Sequence, residues 1–148
     1  MSKLVAGNWK MFGDQNMLSE IKVIDQHCHK IDCEVAICPP FQLILSAHQQ
    51  TKNIKIGAQN CHINANGPHT GEVSAEMLID VGAELVLVGH SERRQDNNET
   101  NKIIKQKAEA VQRAGATAVV CIGETLEERK ADRTCLLYTS PSPRDLDL

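Results

Sequence analysis

The stretch Val86–Arg94, VLVGHSERR, decides how this chain is read. An apolar run, Leu85–Val88, stops at Gly89, and an imidazole, a hydroxyl, a carboxylate and two guanidinium groups follow at once. A short continuous run of β-branched and aliphatic residues reads as a strand buried on both faces. Polar chemistry placed directly behind such a strand is what α/β enzymes use. The plainer account is a lone histidine at a strand end beside solvated charges, so the decision falls to the rest of the sequence.

Working outward, four further apolar runs occur at Leu4–Ala6, Val35–Cys38, Ile54–Ile56 and Ala118–Ile122. Helical patterns lie between them. Met17, Ile21, Ile24 and Cys28 share one face, with Asp14 placed to cap the start. Leu43, Ile44 and Ala47 follow the Pro39–Pro40 pair. Ser74 caps a helix holding Met77 and Leu78 and closed by Gly82, and Ile104, Ala108 and Val111 line another closed by Gly115. Thr125–Glu128 has the capping-box pattern of a fifth helix. Alternating strands and helices give an α/β fold with right-handed crossovers, and both a doubly wound sheet and a (β/α)8 barrel fit. Neither of the usual glycine-rich nucleotide cradles follows any strand.

The polar residues recur at one place in each unit, after the strand and before the helix. Asn8 and Lys10 follow the first strand, Gln59–Asn60 the third, His90–Glu92 the fourth and Gly123–Glu124 the fifth. Residues before the strands, such as Lys3, Asp32, Glu34, Asn53, Lys55 and Glu84, read as ordinary surface positions.

Composition excludes several classes. The chain has 148 residues, 41 % apolar and 24 % charged, with a formal charge of −3. That balance offers no basic field for nucleic acid or an anionic membrane. One Trp, one Tyr and two Phe leave little for base stacking. No apolar segment is long enough to span a bilayer, and the amino terminus has no secretory signal pattern, so a cytoplasmic location is expected. The six cysteines are then expected as free thiols. A zinc site at His27, Cys28, His29, Cys33 and Cys38 is disfavoured: no C-x2-C spacing occurs, and His27 and His29 would face opposite sides of a helix.

Four motifs stand in order: GNWKM at residues 7–11, NGPHTGE at 66–72, GHSERR at 89–94 and VVCIGE at 119–124. On these the chain resembles the triosephosphate isomerase family, from about Lys3 to Asp132. The resemblance implies about five βα units of a (β/α)8 barrel. It implies a homodimer that interconverts dihydroxyacetone phosphate and glyceraldehyde 3-phosphate, a step of glycolysis and gluconeogenesis, without metal or organic cofactor. It assigns His90 as electrophile, Lys10 as the cation facing the enediolate and the phosphate, and Asn8 as the residue that positions Lys10 and substrate. Glu92 would pair with Lys10, Ser91 continues the motif, and Arg93 would pair with Glu99. The long segment 60–74 would insert into a partner subunit, with Thr70 at its tip. Pro68 and His69 depart from the family pattern there. Asn98 stands where many members carry glycine, and asparagine tolerates positive φ.

A complete barrel takes about 250 residues. The family's glutamate base, lid and phosphate-gripping loops would all lie beyond the fifth unit. Residues 133–148, RTCLLYTSPSPRDLDL, fit no family pattern, and the expectation is a disordered tail or one introduced in cloning, behind a partial barrel over 1–132. These 148 residues are therefore expected to be inactive alone. A truncated non-enzymatic module that binds phosphate compounds or a partner is the alternative.

Overall fold

Each of the five apolar runs forms a strand: β1 Leu4–Asn8, β2 Glu34–Cys38, β3 Lys55–Ala58, β4 Leu85–Val88 and β5 Thr117–Val120. The computed structural model describes residues 3–28, 31–122 and 130. Between the strands lie α1 Leu18–Cys28, α2 Ile44–Gln50, α3 Ala75–Asp80, α4 Ser91–Asp96 and α5 Asn101–Arg113. The helix expected after Thr125, the rim residues Gly123 and Glu124, and the tail 133–148 lie outside the described residues.

All neighbouring strands are parallel, and their spatial order is their sequence order, β1-β2-β3-β4-β5. A doubly wound sheet reverses direction once. Here every crossover steps the same way, so right-handed connections put the helices on one face and the sheet curls as part of a (β/α)8 barrel. This resolves the choice that periodicity alone leaves open.

The two faces of the strands hold different cores. Ile37, Ile56, Ala58, Val86 and Val88 point outward and pack with Ile21, Ile44, Ala47, Leu78, Ile104 and Val111 from the helices. Ala36, Cys38, Leu85 and Leu87 form the inner cluster, with Val119 and Cys121 against it. Full burial of such an aliphatic side chain stabilises by about 1.5–3 kcal/mol. Gly57 completes the inner face by having no side chain: a Cβ there would stand 2.6 Å from Leu85 Cδ1 and 2.7 Å from Cys38 Sγ.

Burial on both faces holds for β4 and for the distal half of β2, but not for the outer strands. Leu4 and Val5 of β1 are 40 % and 57 % exposed, and Val120 and Ile122 at β5 are 36 % and 55 % exposed. Among the described residues no strand pairs with the free side of either.

Local capping follows the sequence, with small corrections. Asp14 accepts from the Asn16 N–H, but it caps a 3-10 turn, Gln15–Met17, that precedes α1. Met17 is therefore exposed, and Ile21 carries that face instead. Ser74 Oγ accepts from the Met77 N–H at 3.2 Å, and Gly82 closes the helix with φ 96°. Met77 itself is exposed, and the helix buries Ala75 and Leu78. Ile54 precedes β3 rather than opening it. Glu34 and Lys55, read as separate surface residues, form an ion pair.

Candidate functional site

The chemistry gathers at the carboxyl ends of the strands. β1 ends at Asn8, whose Oδ1 accepts the Lys10 N–H at 2.8 Å. That bond helps hold Lys10 at φ 55°, a left-handed conformation that a long side chain seldom adopts. The Lys10 carbonyl accepts from Gln59 Nε2 at 2.8 Å, and the same amide donates to the Cys38 carbonyl, also at 2.8 Å. One glutamine after β3 thus ties the ends of β1 and β2, a role that its position suggested without a partner.

The Lys10 ammonium crosses to the β4 end and donates to Glu92 Oε1 at 2.6 Å. This hydrogen bond holds the Glu92 carboxyl below its ordinary range. His90 is the N-cap of α4, and its Nδ1 accepts the Glu92 N–H at 3.3 Å. Glu92 Oε2 lies 3.5 Å from the same nitrogen. A ring that accepts a backbone N–H at Nδ1 carries its proton at Nε2 when neutral. Asn8, Lys10, His90 and Glu92 therefore form one chain of contacts between β1 and β4. Ser91 opens α4, exposed and with no side-chain hydrogen bond among the described residues.

Behind this rim lies a buried ionic network. Arg93 Nε and Lys107 Nζ each donate to Glu99 Oε1 at 2.6 Å, and Lys107 also donates to Asn60 Oδ1 at 2.7 Å. Burial raises the Glu99 carboxyl, but the bonds from Lys107 and Arg93 outweigh it, and the net direction is downward. Glu99 Oε2 is buried without a partner among the described residues. The Arg93–Glu99 contact joins residues the resemblance paired; Lys107 and Asn60 were not singled out with them. The signal for Lys107 was present: it is a charge on the apolar stripe of α5, beside Ile104, Ala108 and Val111. Asn98 has φ 53°, the positive value anticipated for it.

Thr70 stands apart from the rim. It is exposed in the 60–74 segment, whose ends are clipped by the His62 N–H to the Val73 carbonyl at 2.8 Å. Within the segment the His62 and His69 rings stack with centroids 4.1 Å apart. No hydrogen bond links Thr70 to Asn8, Lys10 or His90 among the described residues. Among those residues, too, no cluster of three or more His, Cys, Asp or Glu side chains is arranged to hold a metal ion. None of their helices is long and apolar enough to cross a membrane.

Parallel strands wound in one direction, helices outside and a polar rim at the carboxyl ends define the class as a β/α-barrel protein of the kind that carries active sites at that rim. The chain belongs to the triosephosphate isomerase family, whose family model matches residues 3–140. It is 50 % identical over 132 residues to the triosephosphate isomerase of Ruegeria sp. (strain TM1040), covering 89 % of this chain and 54 % of that protein. It is 45 % identical over 137 residues to that of Rhodopseudomonas palustris (strain BisA53), covering 88 % and 54 %. A crystal structure of triosephosphate isomerase from Bartonella henselae superposes with TM-score 0.90 at 40 % identity, covering 99 % of this chain and 61 % of that one. The chain spans about half the length of the curated relatives it matches.

Proposed function

We propose that this chain supplies the β1–β5 part of an active site that interconverts dihydroxyacetone phosphate and glyceraldehyde 3-phosphate through an enediolate. The observation that carries the reading is the Lys10–Glu92–His90 cluster, built on the ends of two strands and held at 2.6 Å and 3.3 Å. His90 donates from Nε2 to the substrate carbonyl oxygen and returns the proton between the two oxygens. Lys10 stabilises the developing oxyanion and draws in the phosphate. Asn8 fixes Lys10, and Glu92 fixes both Lys10 and the helix turn that orients His90. This is proton transfer at a carbon next to a carbonyl, and it needs neither metal nor organic cofactor. A small phosphorylated triose is the partner, rather than nucleic acid or membrane. The 60–74 segment, Thr70 included, serves a homodimer, and the location is cytoplasmic.

The 148 residues alone are inactive on this reading. Abstraction of the proton needs a base within hydrogen-bond reach of the carbon. At the described rim Glu92 is the carboxylate in place, and its charge is engaged by Lys10.

A coupled assay tests both halves of the proposal. The chain is assayed as it is, and as a chimera in which residues 1–132 are continued by the rest of the Ruegeria relative. The chain should give buffer-level turnover and the chimera measurable isomerase activity. His90→Gln in the chimera should lower kcat by about 10²- to 10⁴-fold with a smaller change in KM. An active chimera indifferent to His90→Gln removes His90 from the mechanism. Turnover by the chain itself, abolished by Lys10→Ala and His90→Ala, overturns the inactive-alone reading.

A further inference from the structure

Arg94 lies on α4 beside Arg93 but points elsewhere, and its contacts are of another kind. Nε donates to the Gly89 carbonyl at 2.7 Å, one Nη to the Cys121 carbonyl at 3.1 Å, and the other Nη to Asn101 Oδ1 at 2.7 Å. Its backbone N–H donates to the His90 carbonyl at 3.1 Å. The carbonyls on both sides of the His90 α-carbon are therefore held by this one residue.

The geometry explains why a side chain is needed there. The β4–β5 ladder ends with the Cys121 N–H on the Val88 carbonyl at 2.9 Å. Gly89 then turns away at φ 72°, so the backbone cannot extend the ladder. The Arg94 fork takes over, bonding the Gly89 and Cys121 carbonyls together. All three guanidinium acceptors are neutral oxygens, and no carboxylate pairs with Arg94 among the described residues. A guanidinium presents several donors in one rigid plane, which an ammonium does not.

We propose that Arg94 is a positioning residue: it locks the Gly89–His90 turn to the carboxyl end of β5 and so sets the orientation of His90. The role of His90 rests on the isomerase reading; the clamp between the two strand ends does not.

Two readouts separate those parts. In the chimera, Arg94→Lys and Arg94→Ala are pulsed with N-ethylmaleimide, and labelling is mapped at Cys121 and Cys61. Cys121 is half-buried, whereas Cys61 is fully buried near Lys107. Burial raises the Cys121 thiol while the Arg94 charge draws it down. Loss of that charge by itself slows labelling, so faster labelling of Arg94→Ala reports an opened strand end. Both variants should label Cys121 about tenfold faster, with Cys61 unchanged. In the active chimera, Arg94→Lys should lower kcat roughly 10- to 100-fold with KM within about twofold. Unchanged Cys121 labelling overturns the proposal. So does Cys61 rising in step, which would mark a general loosening, and so does an active chimera whose Arg94→Lys variant keeps the parental kcat. An inactive parent chimera counts against the isomerase reading instead, and the labelling then decides the clamp.

Discussion

Asp25 is buried on α1 and accepts from three consecutive backbone N–H groups, those of Lys52 at 2.9 Å, Asn53 at 2.6 Å and Ile54 at 3.1 Å. It pins the first helix to the turn that enters β3. Burial raises its carboxyl, yet the bonds from Asn53, Lys52 and Ile54 win, and the net direction is below the ordinary 3.8. A depressed folded value means that the unfolded chain takes up the proton first as pH falls. The stabilisation is therefore complete well above pH 3.8 and is lost as pH falls through that value toward the folded one. Asp25→Ala in the chimera should cost about 3 kcal/mol at neutral pH, because it strands buried donors once held by a charge. Urea titrations at neutral pH and near pH 3 measure it. The variant's deficit should shrink at the acid end, and an equal deficit at both would remove the charge from the explanation.

Among the elements, α5 joins the 60–74 segment to the helix that carries His90. It does so through Lys107, which holds Glu99 at the α4–α5 connection and Asn60 behind β3. Breaking a buried ion pair from one side typically costs about 3–5 kcal/mol, since the remaining charge is left uncompensated. Lys107→Met should show a loss of that order in chimera melts, and Lys107→Met with Glu99→Gln should recover part of it. A double variant no more stable than the single one would mean that Arg93 alone satisfies Glu99. The helix caps differ in legibility for a physical reason. Ser74 and Asp14 bond within three residues of themselves, so spacing suffices to find them. Asp25 bonds to groups 27 to 29 residues away and Lys107 to one 47 away, distances that only packing closes.

For the whole molecule, the decisive feature is two sheet edges that lack a neighbouring strand among the described residues. Exposed Leu4 and Val5 at one edge and Val120 at the other present unpaired backbone beside apolar side chains, the combination that promotes edge-to-edge association. The 148-residue chain should elute as aggregates or as an expanded species in size-exclusion chromatography with light scattering. Val5→Lys with Val120→Lys should lower the apparent mass at the same concentration. A sharp monomer with a cooperative melt would contradict this view of the edges.

By itself the sequence determined the type and order of the elements and the placement of polar residues after strands. Leu85–Val88, Gly89 and His90 declare a strand, a stop and a chemical group in consecutive positions, and the order of four motifs points to the barrel. These are local properties, set by side-chain period and turn chemistry. Tertiary structure decided which groups meet. Lys10 is bonded to Glu92 82 residues away, and Arg94 to the Cys121 carbonyl 27 residues away. It also decided that β1 and β5, each built on an apolar run as β4 is, are left largely exposed at the sheet edges. Burial depends on what lies beside a strand in space, and hydrogen-bonded charges depend on distances of a few ångströms that no spacing along the chain can encode.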